Sequence, residues 1–133
     1  MKYIIDTDIL IYFLKSHKAV VDKFTLIDID DMATTMINYM ELLFGAYNST
    51  QIDKNLTKIT SFINNIEIVN LNRKSAEIFA QLKSIMRKEG VTIADLDLII
   101  ASICLANNLI LVTNNTKHFK KIKNLKIENW SKF

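Results

Sequence analysis

The sequence has no proline, only two glycines (Gly45 and Gly90) and a single cysteine, Cys104, in 133 residues. With no stretch rich in proline or small residues, nothing divides the chain, and a single domain over 1–133 is expected. Two glycines cannot build the loops that cradle nucleotide phosphates. One cysteine excludes an intrachain disulfide and a thiolate zinc cluster. Lying within "LIIASICLA", it reads as a buried structural thiol. Long apolar runs are also missing. The longest, Ile9 to Leu14, falls far short of the roughly 18–20 residues that cross a bilayer. Lys2 precedes a short apolar run and then acids, which is not a signal-peptide pattern. A soluble, cytoplasmic protein with no membrane partner is expected. No aromatic ladder for stacking single-stranded bases is present. Tyr12, Phe13, Tyr39 and Phe44 recur at helical spacing and read as core or dimer packing.

What is present is apolar. Half of the residues are hydrophobic and the mean hydropathy is +0.15, which supplies a real core and argues against disorder. Charge is uneven. Residues 1–116 carry 11 basic and 13 acidic side chains, a net of −2, whereas 117–133 carry six lysines against Glu128 alone, a net of +5. A basic tail suits phosphate contacts and suits a plain solvated surface equally.

Pattern gives alternating elements. "KYIID" is a short buried strand, followed by a helix over roughly 8–15 that Thr7 or Asp8 is placed to cap. A second short helix is expected over 18–27, a loop at "DIDD" (28–31) and a weak strand at "MATT" (32–35). "NYMELLFGAYN" has helical spacing at Met40, Leu43, Phe44 and Tyr47. "DKNLTKITSFINN" places Leu56, Ile59, Phe62 and Ile63 on one face. A strand over 66–71 leads to a helix from Lys74 to Lys88, with Ile78, Leu82 and Ile85 inward and Gly90 ending it. "TIAD" resembles a capping box between Thr92 and Asp95, opening an apolar helix to about Asn107. "LILVTN" (109–114) reads as a central strand, "TKHFKKI" as a short helix or turn, and a last strand falls near 125–128. Strands alternating with helices predict an α/β fold, with helices around a mainly parallel sheet. Sites in such folds form at the carboxyl ends of strands. That places Asp6 and Asp8 at a site edge, with Asn114 and Asn115.

The acids set in apolar contexts are Asp6, Asp8, Glu41, Asp95 and Asp97. Converging carboxylates repel one another, and a hard cation such as Mg²⁺ or Mn²⁺ relieves that repulsion through oxygen ligands. Each acid also has an ordinary explanation. Asp8 can cap a helix, Glu41 can face solvent, Asp95 can partner Thr92, and Asp97 can sit favourably at a helix N-terminus.

Three segments, "IIDTDILIYFLK", "NYMELLFGA" and "TIADLDLIIASICLANNLILVTNNTKHFKKIKNLKIENW", resemble the PIN-domain ribonucleases, specifically the VapC toxins of bacterial toxin–antitoxin pairs. They occur in family order and cover most of the chain. The resemblance implies a three-layer α/β/α sandwich and Mg²⁺- or Mn²⁺-dependent hydrolysis of RNA phosphodiester bonds. It also implies a homodimer and silencing by a VapB-like antitoxin, with tRNA among plausible substrates. Carried over by motif, it puts the catalytic and metal-binding acids at Asp6, Glu41 and Asp97, and leaves Asp95 peripheral. Relatives carry a fourth acid just after the "VT" strand. Here Asn115 and His118 are the residues that could receive it. Asn115 can offer an amide oxygen, and His118 suits Mn²⁺ better than Mg²⁺. Weakened activity, changed metal preference and help from Asp95 are all open. Asp8 stands where many relatives have Asn. Thr113 is placed either to position a phosphate or water, or simply to bond backbone. Lys117, Lys120, Lys121, Lys123 and Lys126 are the candidate phosphate contacts, which position RNA without specifying its sequence.

Rival readings are poorer. "DTD" also opens haloacid-dehalogenase-like phosphatases, but Ile9 and Leu10 stand where a Gly-Thr pair belongs. A receiver domain needs an acceptor Asp after the middle strand, and "IEIVNL" lacks one. A PIN-fold RNA- or protein-binding module with decayed catalysis is the remaining alternative, motivated by Asn115 and His118.

Overall fold

The computed structural model describes residues 1–132. The chain runs β1 (Tyr3–Ile5), α1 (Thr7–Leu14), α2 (Lys18–Leu26), a 3₁₀ turn (Ile29–Asp31), β2 (Met32–Thr35), α3 (Met36–Tyr47) and α4 (Ile52–Ile63). It continues through β3 (Glu67–Val69), α5 (Arg73–Lys88), α6 (Asp95–Asn107), β4 (Ile110–Val112), α7 (Thr116–Phe119) and β5 (Ile127–Glu128). The strands form one sheet in the order β3-β2-β1-β4-β5. Every neighbouring pair is parallel, with Ile4 level with Ala33 on one side and Leu111 on the other. This is the expected three-layer α/β/α sandwich.

Helices cover both faces, so the inner strands β1 and β4 are apolar throughout rather than alternating. Tyr3, Ile5, Met32 and Val112 face one core, closed by residues of α1 to α4 such as Leu10, Phe24, Leu42 and Ile59. Ile4, Ala33 and Leu111 face the other, closed by Met86 of α5, Ile100 and Cys104 of α6 and Phe119 of α7. Trp130 returns to the first core, edge-on to Tyr3 and Phe24 at 5.0 and 5.6 Å between ring centres, and its indole N–H donates to Glu128 Oε1. Cys104 is fully buried and burial pushes its thiol pKa up, so it is an inert core residue. Leu56, Ile59, Phe62 and Ile63 share the buried face of α4, as their spacing predicts.

Several expectations are corrected. The strand read as central, β4, does lie inside the sheet, paired with β1 and β5, but the middle position belongs to β1; local pattern says that a strand is buried, not which neighbours it has. The strands at 66–71, 109–114 and 125–128 shorten to three, three and two residues. On α3 the apolar positions Met40, Phe44 and Tyr47 are 53%, 71% and 63% exposed, and Asn38, Leu42 and Ala46 face inward instead. The helix carries apolar residues on two sides, and hydrogen bonds made by Asn38 decide which side is buried. On α5, Ile85 is exposed and the inward stripe is Ser75, Phe79, Leu82 and Met86. Its phase follows the capping box between Asn72 and the buried Ser75. The capping box at Thr92 does not form: Ala94 is the N-cap of α6 and no side chain caps it. Asp95 instead pairs with Lys83 of α5 at 2.9 Å.

Candidate active site

Strand order reverses at β1. The chain moves to β2 and β3 on one side, then to β4 and β5 on the other. At such a point the loops leaving two adjacent strands diverge and open a crevice beyond their carboxyl ends. Asp6 leaves β1 there and Thr113 leaves β4. They meet across the crevice, where the Thr113 hydroxyl donates to Asp6 Oδ2 at 2.8 Å.

Asp6 is the N-cap of α1, a role expected of Thr7 or Asp8, and its Oδ1 accepts the Thr7 backbone N–H at 2.9 Å. The same oxygen accepts the Asn38 amide at 2.9 Å. Despite these bonds its carboxyl pKa is pushed up to about 7, first by burial, then by the charges of Asp8 and Asp97. A carboxylate so burdened in a crevice is a marker of a functional site. Asp8 lies in the first turn of α1, half-buried. Its Oδ2 accepts the Asn114 backbone N–H at 3.0 Å, which ties α1 to the loop after β4. Burial raises its pKa, opposed by that bond.

Glu41 reaches the site through an intermediary. The Thr7 hydroxyl donates to Glu41 Oε1 at 2.7 Å and accepts the Asn38 amide at 2.9 Å, so Asn38 joins Asp6 to Glu41 by way of Thr7. Asn38 is fully buried and completes a capping box with Thr35 at the start of α3. Glu41 also lines a groove between α1, α3 and α4. Thr7 and Asn38 are thus the residues that sequence reasoning undervalued. The available signal was an amide one turn before an acid in an otherwise apolar helix.

Asp97, in the first turn of α6, stands within Coulombic reach of Asp6 and has His118 of α7 beside it. His118 Nε2 is 3.0 Å from Asp97 Oδ2. The two groups stand at ion-pair distance. Asn115 is exposed; its backbone N–H donates to the Thr113 hydroxyl at 3.0 Å. Asp95 is turned away with Lys83. The five candidate lysines are exposed, but they are spread out. Lys117 adjoins His118 in α7, whereas Lys126 precedes β5, whose parallel register with β4 sets it at the amino-terminal end of the strands, away from the crevice. Asn114 anchors the chain's last turn, its Oδ1 accepting from Asn129 and Ser131 at 3.1 and 3.0 Å.

Among the described residues, no three of His, Cys, Asp and Glu close into a cluster that could hold a metal by themselves. The donor set nevertheless suits a hard cation that keeps much of its water, as Mg²⁺ commonly does with one or two carboxylates. Burial first, then the charges of Asp8 and Asp97, disfavour an ionised Asp6, and a positive charge close to it would offset that penalty.

Residues 3–125 match the family model of the PIN domain. The chain belongs to the PIN-domain family. It is 34% identical to "Ribonuclease VapC2" of Rickettsia felis, over 99% of this chain and all of that one. It is 29% identical to the "tRNA(fMet)-specific endonuclease VapC" of Shigella flexneri, over 98% and 99%. The crystal structure of VapBC2 from Rickettsia felis bound to a promoter DNA fragment superposes with a TM-score of 0.89 at 32% identity, covering 98% of this chain and 99% of that one. Within the PIN family, then, this protein is closely related to the VapC toxins of type II toxin–antitoxin systems, and that kinship supports enzymatic activity. No helix among the described residues is long and apolar enough to cross a membrane.

Proposed function

We propose that this chain, one domain over 1–133, is a divalent-metal-dependent endoribonuclease, the cytoplasmic toxin of a type II pair silenced by a VapB-like antitoxin. The observation that carries the reading is the state of Asp6. It is 7% exposed, held by three hydrogen bonds, and still burdened by burial and two neighbouring acids. A folded protein retains such a group where a ligand relieves it. The related VapC2, named a ribonuclease, and the VapBC crystal structures support the substrate class and the antitoxin partner.

In this reading Asp6 and Asp97, with Glu41 from α3, would be the residues that hold Mg²⁺ or Mn²⁺, directly or through water. The bound ion supplies an acidified water and charge to offset the scissile phosphate. Asp97 takes the proton of the attacking water. Thr113 and Asn38 fix the rotamer of Asp6, and Asp8 fixes the loop that carries Thr113 and Asn115. Lys117, with Lys120 and Lys121 just beyond α7, contacts RNA phosphates near the crevice; Lys123 and Lys126 would serve a longer RNA. A tRNA is a reasonable substrate, given the named tRNA specificity of the Shigella relative. A homodimer is the assembly we expect.

The test is incubation of purified, antitoxin-free protein with total RNA in Mg²⁺, Mn²⁺ or EDTA, with fragment ends mapped by sequencing. Discrete cuts that require metal and vanish in Asp6→Asn and Asp97→Asn establish the nuclease and identify its target. Folded protein that binds RNA without cutting it in either metal supports the second reading, a binding module with decayed catalysis, which the exposed amide Asn115 and His118 motivate.

A further inference from the structure

The turn from Thr113 to Asn115 has little to hold it locally. The helix it enters, α7, has four residues and no side-chain cap. What holds the turn comes from elsewhere in the chain and converges on Asn114. Its backbone N–H donates to Asp8 Oδ2 at 3.0 Å. Its Oδ1 accepts the Asn129 amide at 3.1 Å and the Ser131 hydroxyl at 3.0 Å. Asn129 and Ser131 flank Trp130, which is buried against Tyr3 and Phe24, and the Ser131 N–H donates to Asn129 Oδ1 at 2.9 Å. The two residues thus form a strut rooted in the first core. The "ENW" stretch acquires a role residue by residue. The Glu128 carbonyl accepts the Thr113 N–H and its carboxylate accepts the indole N–H, Asn129 holds Asn114, and Trp130 seats the strut.

What the strut controls is one proton. The Thr113 hydroxyl accepts the Asn115 N–H at 3.0 Å and has a single hydrogen to give. Two carboxylates face it, Asp6 Oδ2 at 2.8 Å and Asp8 Oδ2 at 3.5 Å. Asp8 Oδ2 already accepts from Asn114, which leaves the hydroxyl to Asp6. A displaced Asn114 would release Asp8 and shift Thr113 relative to both acids. Resting on the proposed nuclease reading, we infer that Asn129 and Ser131 are positioning residues for RNA cleavage: through Asn114 they commit the Thr113 hydroxyl to Asp6 and keep Asp8 on the loop. They act through Asn114 and Thr113 rather than on the RNA, so their loss lowers the rate of the bound complex and not its formation. A misplacement of about 1 Å in such a site is enough to slow a reaction up to about 10²-fold.

The experiment is a double-mutant cycle on the full chain. One wild-type cut in total RNA is followed under excess protein in Mg²⁺ or Mn²⁺, giving the rate constant at saturation and the half-saturating protein concentration. Asn129→Asp keeps the shape of the side chain and removes its donor. Ser131→Ala removes a hydroxyl without adding charge, and Thr113→Val removes the group to be aimed. Each is checked for folding by circular dichroism. Asn129→Asp should slow the saturated rate about tenfold and Ser131→Ala about threefold, with half-saturation moved by less than about twofold. In the Thr113→Val background each should change the rate by less than about twofold, because no hydroxyl remains to be positioned. Equal factors in both backgrounds, or a loss confined to half-saturation, overturn the inference and leave the nuclease reading standing. Unchanged rates in folded Asn129→Asp and Ser131→Ala do the same, whatever Thr113→Val shows. If Asn129→Asp does not fold, the Ser131→Ala cycle decides. Folded wild type that makes no metal-dependent cut overturns the nuclease reading and the inference with it.

Discussion

Helices α3 and α6 each carry one acid to the same crevice, and they do so in opposite ways. Helix α3 is capped by Thr35, rests on the sheet through Leu42 and Ala46, and leaves Met40, Phe44 and Tyr47 in solvent. Its Glu41 is held by a neutral hydroxyl. Helix α6 has no side-chain cap, buries Leu98, Ile100, Ala101, Ile103 and Cys104, and presents Asp97 to another acid and an imidazole. One helix is placed by polar bonds at its start and the other by apolar packing along its length. The contrast sets an acid held by a neutral hydroxyl against one paired with an imidazole, and the proposed mechanism gives the working role to the second.

The largest test of that difference is catalytic. Asp97→Asn should lower metal-dependent RNA cleavage by roughly 10³-fold, an effect of the size seen when a charge-stabilising group is removed. Glu41→Gln, whose amide oxygen can still accept from Thr7, should lose about tenfold less, read as single-turnover rates on one RNA. Equal losses would end the distinction.

Next in size is the effect of pH on metal-free protein. Folded Asp6 keeps its proton to about pH 7, while the unfolded chain releases it near 3.8. The folded state therefore binds more protons between those values, and stability falls as pH rises from about 4 to 7, by at most roughly 4 kcal/mol from this group. Asp6→Asn should flatten that slope in urea unfolding, making the metal-free protein more stable at pH 8 even as cleavage is lost. A steeper slope in the variant would contradict the assignment.

Packing comes third. Ile100→Ala on α6 should cost about 3 kcal/mol by chemical denaturation, the usual price of a core cavity, whereas Phe44→Ala on α3 should change stability by less than about 0.5 kcal/mol. Smallest is the cap. Ala94 has extended backbone angles suited to a capping residue (φ −57°, ψ 140°), so Ala94→Ser should add about 0.5–1 kcal/mol. Unchanged thermal unfolding would show that packing alone fixes the start of α6.

The same contrast explains what could be read from the residues and what could not. The strand before Asp6, the buried helix after Asp97 and helices around a mainly parallel sheet were legible, because apolar runs flanked by charge leave few alternatives; the three-layer sandwich followed from the family resemblance. The phase of α3 was not, since its apolar residues lie on two sides and the choice belongs to Asn38, whose partners Asp6 and Thr7 are more than thirty positions away. The phase of α5 likewise turns on a buried serine, and the missing cap at Thr92 on a lysine of another helix. The middle position of β1 was invisible for a similar reason: strand order is a property of pairings, and no local pattern records it. At the site, the acids were legible as types, whereas the Thr7–Asn38 relay that connects two of them depends on three-dimensional placement.

The bond between Thr113 and Asp6 closes a loop of 107 residues. During synthesis the chain makes β1 long before β4, the strand that must lie against it. Asp6 therefore leaves the ribosome long before its principal hydroxyl partner exists, and the crevice has only one wall until β4 arrives. Contacts of such long sequence separation are slow to form because so much chain must be ordered before they reward it. The topology thus carries a built-in delay: the crevice has both walls only once the chain has been made as far as Thr113 and β4 has docked beside β1.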